Sequence, residues 1–389
     1  LGLLKTAPPS RLSLGAPRGV PSNTLLDGSA MEAESSAGAG LDLQTDEIRP
    51  ARASRTLEKI MNNRACWHRL RIILSVLCAF ASLPAVAQDT TWPSKPVRFI
   101  VPFPPGGTTD PLARLVGARL TPALGQQFLV DNRSGGSGSI GSTIAAKATP
   151  DGYTFLFVFD THAVNPTLYP NLPFDTAKDL APVMLIATAP NCIVTNVAKP
   201  YNNFTDVIKA AKAKPETVTI GSIGNGSLGH LMMTLVQQSG GFKLIHVPYK
   251  GGGPMIVDAL GGQVDLAIGT VALVSPQVTG GKLRALAVTG DIRSGALPDV
   301  PALAEQGFPG FSALSWWGVF APAGTPKPIL NKFHAELVKV FNQPDLRKQL
   351  TEQLGMDLAV SSPEALQKFL VGEIARWGKV VRENNIRAE

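Results

Sequence analysis

The chain has 389 residues, 44% of them hydrophobic and 17% charged, and its 36 Lys and Arg against 29 Asp and Glu give a formal net charge of +7. So small an excess, with no basic run interleaved with aromatics, excludes a nucleic-acid-binding chain. Three cysteines, two of them close together at Cys66 and Cys78, exclude a disulfide framework and a cysteine-built metal cluster.

Taken in chain order, residues 1–60 are rich in Ala, Ser, Gly, Pro and Arg without sustained periodicity, and are expected to be an upstream extension, disordered or untranslated, ahead of a start at Met61. Residues 61–87 have the anatomy of a signal peptide. Arg64, Arg69 and Arg71 form a basic n-region, Ile72 to Leu83 an apolar core, and Ala85-Val86-Ala87 a cleavage site, so that export to the periplasm with cleavage after Ala87 is expected. The core is too short to span a bilayer comfortably. The 302 residues that remain carry 26 Lys and Arg against 22 Asp and Glu and keep a single cysteine, Cys192, so the exported chain must be held by its core.

Strands are predicted over 97–102, 127–131, 153–159, 183–195, 217–221, 243–247, 264–269, 283–289 and 313–320. Helices are predicted over 110–123, 138–148, 204–213, 227–239, 252–260, 271–279, 326–342, 344–354 and 362–385. Strict alternation of the two makes an α/β fold with mostly parallel sheets and helices on both faces. Two extended apolar runs, 181–200 and 312–326, are long enough to cross between lobes. They divide the chain into a first lobe of 88–190 and 317–389 around a second lobe of 191–316.

Ligands of such sheets bind at the carboxyl ends of strands. The first such turn, FPPGGTTD, offers Phe103, Pro105, Gly106, Gly107, Thr108, Thr109 and Asp110. Its glycine pair permits close approach to backbone N–H groups at a helix start, and Thr108, Thr109 or Asp110 can cap that helix. A tight turn with a capped helix is the plainer account, but one cap does not require two glycines.

The turn GSIGNGSLGH places Ser222, Gly224, Gly226, Ser227 and His230 around a G-x-G-x-x-G pattern. A dinucleotide site needs an acidic residue some twenty positions on, and none lies between Thr217 and Met255. No cofactor is therefore expected. Backbone donors and hydroxyls there suit a small anion instead. Ser227 and His230 could also be a hydrolase's nucleophile and base, but no nucleophile elbow or orienting acid accompanies them, and local packing of His230 explains it better.

Further on, Tyr249, Lys250 and Gly251 put an aromatic ring and a cation beside a run of three glycines, although most lysines are simply solvated. At the end of strand 153–159, Asp160, Thr161 and His162 offer hydrogen-bonding groups; His162 lacks partners at metal-ligand spacing, so no metal is expected. Asn191 in the first crossover and Trp316 in the second complete the expected ligand-binding set, Trp316 being equally a lid or a core residue.

WPSKPVRFIVPFPPGGTTD, DNRSGGSGSIGSTIAAKATPDGYTFL, GSIGNGSLGHL, HVPYKGGGP, GGQVDLAIG and WWGVFAPAGTP, in this order, resemble the substrate-binding proteins of tripartite tricarboxylate transporters, the Bug family, over residues 92–387. The resemblance implies a type II periplasmic binding fold of two lobes closing like a Venus flytrap. It implies a small carboxylate ligand (a di- or tricarboxylate, an amino acid or an aromatic acid) held by the turns after strands 97–102 and 217–221, partly through water. It implies no catalysis, a monomer, and delivery to a membrane permease of large and small subunits; a ligand-sensing subunit for a signalling partner is the alternative. The chain departs from the family at Phe159-Asp160-Thr161-His162, where a small polar stretch is usual. If Asp160 faces the cleft, its carboxylate repels an anion and the ligand should carry an amine; if it faces away, a plain acid fits.

Overall fold

Val97, Phe99, Ile100 and Val101 are fully buried, and this run of β-branched and aromatic side chains makes the first strand. The computed structural model describes His68 and residues 92–388; the expected extension, the Met61 start, the signal peptide and its cleavage site lie outside the described residues. In chain order the elements are β1 (Val97–Val101), α1 (Thr109–Leu124), β2 (Phe128–Asn132), α2 (Ser139–Ala146), β3 (Thr154–Phe159), α3 (Thr161–Leu168), β4 (Leu180–Asn196), α4 (Phe204–Ala213), β5 (Thr219–Ser222), α5 (Leu228–Gly240), β6 (Ile245–Pro248), α6 (Gly252–Leu260), β7 (Leu266–Thr270), α7 (Val271–Thr279), β8 (Leu283–Val288), β9 (Leu314–Pro322), α8 (Lys327–Phe341), α9 (Pro344–Lys348), β10 (Asp357–Leu358) and α10 (Pro363–Glu383).

The sheet order is β2-β1-β3-β9-β4-β7-β5-β6. Strands joined by a crossover helix are parallel: β1 with β2 and β3, and β5 with β6 and β7. The long strands run the other way, so the sheet is mixed. β4 is antiparallel to β9 from Leu180 to Pro190, then to β7 and β8 from Asn191 onward. The change of partner falls at Pro190, which has no N–H to continue a ladder. Both expected crossovers are thus strands that each serve as a seam between parallel groups.

Each group has its own packing. Beneath β1 and β3, Phe99, Phe155 and Phe333 form an aromatic cluster, the Phe155 and Phe333 rings 3.9 Å apart. Around β5, Phe204 packs edge-on against Phe242 and Phe308. Every predicted strand is present. Helix α3 was not foreseen; it forms through Pro166 with Ala163, Val164 and Leu168 buried. The helix predicted over 344–354 is α9 followed by a π-helical turn at Gln349–Gln353.

Candidate functional site

The turn after β1 is held from below. Asn132 Nδ2 donates to the Phe103 carbonyl at 2.9 Å and to Asp110 Oδ1 at 3.0 Å. Arg114 Nε donates to both Asp110 oxygens, at 3.0 and 3.2 Å. Asp110 is therefore an anchor rather than a cap, and neither it nor Thr109 nor Thr108 caps α1 with its side chain. Thr108 Oγ1 instead accepts from Trp317 Nε1 at 3.2 Å. The first N–H groups of α1 keep no intrahelical acceptor, as at any helix start. Gly106 has φ 89°, a left-handed conformation that a side chain would strain.

The turn after β5 is knitted to itself. The Ser222 hydroxyl lies 2.7 Å from His246 Nε2, and the Gly224 N–H donates to it at 3.3 Å. Ser227 is the N-cap of α5, its hydroxyl accepting the His230 N–H at 3.4 Å. His230 Nδ1 accepts the Gly226 N–H at 3.2 Å, so the ring nitrogen on that side is unprotonated and faces Gly226, not Ser227. The His230 ring stacks on that of His246 with centroids 3.9 Å apart. Burial, and then the His246 charge, lower His230 to about 3, which keeps it neutral. A nucleophile and base would need their side chains in mutual reach, and these do not have it.

The turn after β6 meets the turn after β1 through glycines on both sides. A Cβ on Gly253 would lie 2.5 Å from the Pro105 carbonyl oxygen, and one on Gly251 would lie 2.9 Å from Pro104 Cδ. Only bare backbone permits that approach. Tyr249 is fixed by its hydroxyl, which donates to Asp258 Oδ2 at 2.8 Å; burial and the Asp258 partner raise it to about 12. A second meeting joins Ser137, whose hydroxyl donates to the Asn225 carbonyl at 2.8 Å, with the Gly224–Gly226 turn.

Three cavities follow these meetings. A neck of about 20 Å³, room for a single water, is lined by Phe103, Gly107, Thr108, Thr109 and Asp110 on one side and by Ile223, Gly252, Thr270 and Leu273 on the other, with Phe159 between. A polar cavity of about 250 Å³ adjoins it at Ile223 and is lined by Gly136, Ser137, Gly224, Asn225, Tyr249 and Lys250. A cavity of about 310 Å³ shares Gly107, Thr108 and Leu273 with the neck and has largely apolar walls. A larger concavity, about 760 Å³, is an open groove between α4 and α5 that none of the glycine-rich turns lines.

Of the expected residues in the turns, Pro105, Ser222, Gly226, Ser227, His230 and Gly251 line none of the three cavities, and five more lie elsewhere. Asp160, Thr161, His162, Asn191 and Trp316 are buried and line none of the three cavities. Asp160 Oδ2 accepts from Ser315 Oγ at 2.5 Å, and Asn191 Nδ2 donates to the same Ser315 oxygen at 3.0 Å, so Asp160 is turned to the β4–β9 seam. Burial raises it to about 7, against the opposing pull of Ser315 and of the Leu228 and Thr161 amides; those amides leave Oδ1 without a well-formed hydrogen bond. His162 packs at a tilt against Phe320, ring centroids 5.1 Å apart, and is lowered to about 3 by burial. Of the tryptophan pair, Trp316 packs against Phe369 of α10, whereas Trp317 reaches Thr108 and Phe159. Successive strand residues point to opposite faces, so only one of the two can reach the turn.

Pro104, Phe159, Ile223, Gly252, Thr270 and Leu273 are the neck residues that sequence reasoning passed over, and Trp317 stands behind them against Thr108 and Phe159. Thr270 and Phe159 end strands β7 and β3, and strand-end placement was the signal for both.

Residues 112–386 match the family described as tripartite tricarboxylate transporter family receptor. The chain is similar to protein BugT of Bordetella pertussis, with 35% identity over 82% of this chain and 98% of that one. Among solved structures it resembles the periplasmic binding protein BugD, with TM-score 0.73 and 33% identity over 77% of this chain and 100% of that one. It also resembles R. palustris Rpa4515, solved with adipate, with TM-score 0.73 and 37% identity over 76% of this chain and 99% of that one.

Proposed function

This chain belongs to the tripartite tricarboxylate transporter receptor family, a family of periplasmic solute-binding proteins rather than enzymes, and from that premise we propose that it captures a small carboxylate between its glycine-rich turns and hands it to a tripartite tricarboxylate-type permease. Family membership sets aside the hydrolase reading of Ser227 and His230. The observation that carries the proposal is the meeting of the Phe103–Asp110 turn with the Gly251–Gly253 turn over the neck at Thr108 and Thr270. A relative at 37% identity was solved with adipate, a dicarboxylate.

In this reading the two parallel groups are lobes that part along the β4 and β9 seam and close on the acid, which bridges the turns and shifts the equilibrium toward the closed form. Backbone N–H groups and the Thr108 and Thr270 hydroxyls meet the carboxylate, and Lys250 supplies the positive charge nearby. Asp160 faces the seam, so a plain acid is accommodated and no ligand amine is required. The protein acts as an exported monomer, freed by cleavage after Ala87. No helix among the described residues is long and apolar enough to cross a membrane.

Calorimetric titration of ligand-stripped protein with mono-, di- and tricarboxylates and amino acids tests the proposal. An acid at a hundredfold excess over its Kd should stabilise the fold by about 2.7 kcal/mol. No binding across the panel would overturn it.

A further inference from the structure

The cavity of about 310 Å³ beside the neck is walled by Leu112 and Leu115 of α1, Ile256 of α6, Leu273 of α7, and Leu350 and Met356 from the segment after α9. No charged side chain lines it; Gln277 and Gln349 are its polar groups besides the shared Thr108. Across the neck and both larger cavities, the charged lining residues are Asp110 and Lys250. Asp110 is already satisfied by Arg114 and Asn132. Lys250 makes no ion pair among the described residues, which leaves one cation for the ligand.

Resting on the carboxylate reading above, we propose that the ligand is an acid with a single carboxylate and an apolar body, aliphatic or aromatic, and that this body occupies the apolar cavity. One free cation matches one carboxylate. A second carboxylate driven among Leu112, Leu115 and Ile256 would lose its hydration and gain no charge partner. Carbon buried on the same walls gains affinity for each atom taken out of water. At about 310 Å³ against about 20 Å³, the cavity is some fifteen times the volume of the neck, room for a chain of several carbons or a phenyl ring. The apolar cavity shares Gly107, Thr108 and Leu273 with the neck, and the neck shares Ile223 with the polar cavity that Lys250 lines, so the three lie in series and, as the turns part, a head beside Lys250 and a body among the leucines can belong to one molecule.

The test is calorimetry on the ligand-stripped full-length exported protein with propionate, butyrate, hexanoate and phenylacetate, set against succinate and adipate. Kd should fall about fourfold for each added methylene of the monocarboxylates. Hexanoate should bind at least tenfold tighter than adipate of the same length. Leu115→Gln and Leu354→Gln, both at partly exposed wall residues, should each shrink the gain per methylene. Adipate or succinate binding tighter than its monocarboxylate counterpart would overturn the apolar body and leave carboxylate capture standing. No response to either kind of acid would overturn carboxylate capture itself, and this inference with it.

Discussion

Ser315 Oγ donates to Asp160 Oδ2 across 2.5 Å, joining the end of β3 to the start of β9 at the seam between the two parallel groups. Burial raises this carboxyl from 3.8 to about 7, the nearby Glu373 charge adding a little, while Ser315 pulls the other way. A raised acid binds its proton more tightly in the folded state, so its contribution is fully present below pH 3.8 and is lost as pH rises toward 7. His162 and His230, lowered from 6.5 to about 3, do the opposite: their contribution is present above 6.5 and is lost as pH falls. Asp160 thus offsets part of the histidines' acid lability.

Asp160→Asn removes that offset. The variant should lose more thermal stability than the wild type between pH 6.5 and 4.5, and should gain stability between pH 6.5 and 7.5, where in the wild type Asp160 and the two histidines nearly cancel. Melting temperatures across this range check it, and parallel curves would show that Asp160 does not titrate there.

Gly253→Ala sets a Cβ 2.5 Å from the Pro105 carbonyl oxygen and keeps the two turns apart. Alanine is otherwise welcome in a helix, so the ligand-free melting temperature should hold or rise. Ligand Kd should rise at least tenfold, about 1.4 kcal/mol. Gly107→Val should likewise weaken binding more than stability, and equal losses of both would make the Phe103–Asp110 turn purely structural.

Ser227→Ala deletes the N-cap of α5. It should cost about 1 kcal/mol of stability with ligand Kd unchanged within about twofold. A tenfold weaker Kd at unchanged melting temperature would instead put Ser227 on the ligand.

Lys250 is exposed and lines the polar cavity, so Lys250→Met tests its charge with little effect on the fold. Acid binding should weaken about two- to fivefold, the worth of an exposed charge pair, and lose much of its salt dependence. Unchanged affinity at low salt would return Lys250 to the solvated surface.

Much of the fold was legible because alternating β-branched runs and amphipathic helices announce themselves locally; every predicted strand from 97–102 to 313–320 has its counterpart. The split of 344–354 and the helix over Asn165-Pro166 were not, because tertiary burial decided them. The turns of the site were legible through their glycines and prolines. Which side chains face the neck was not. Trp316 and Trp317 are indistinguishable in sequence, and only the register of β9 against β3 and β4 turns Trp317 toward Thr108. Asp160 poses the same problem: a carboxylate at a strand end serves cleft or seam according to which neighbour, here Ser315 from a distant strand, folds against it.

The most direct test of carboxylate capture is mass spectrometry of small molecules released by denaturing protein purified from the periplasm. The account predicts a stoichiometric acid, which on adding back raises the melting temperature. Release of a dinucleotide, or of an amine with no carboxylate, would contradict it.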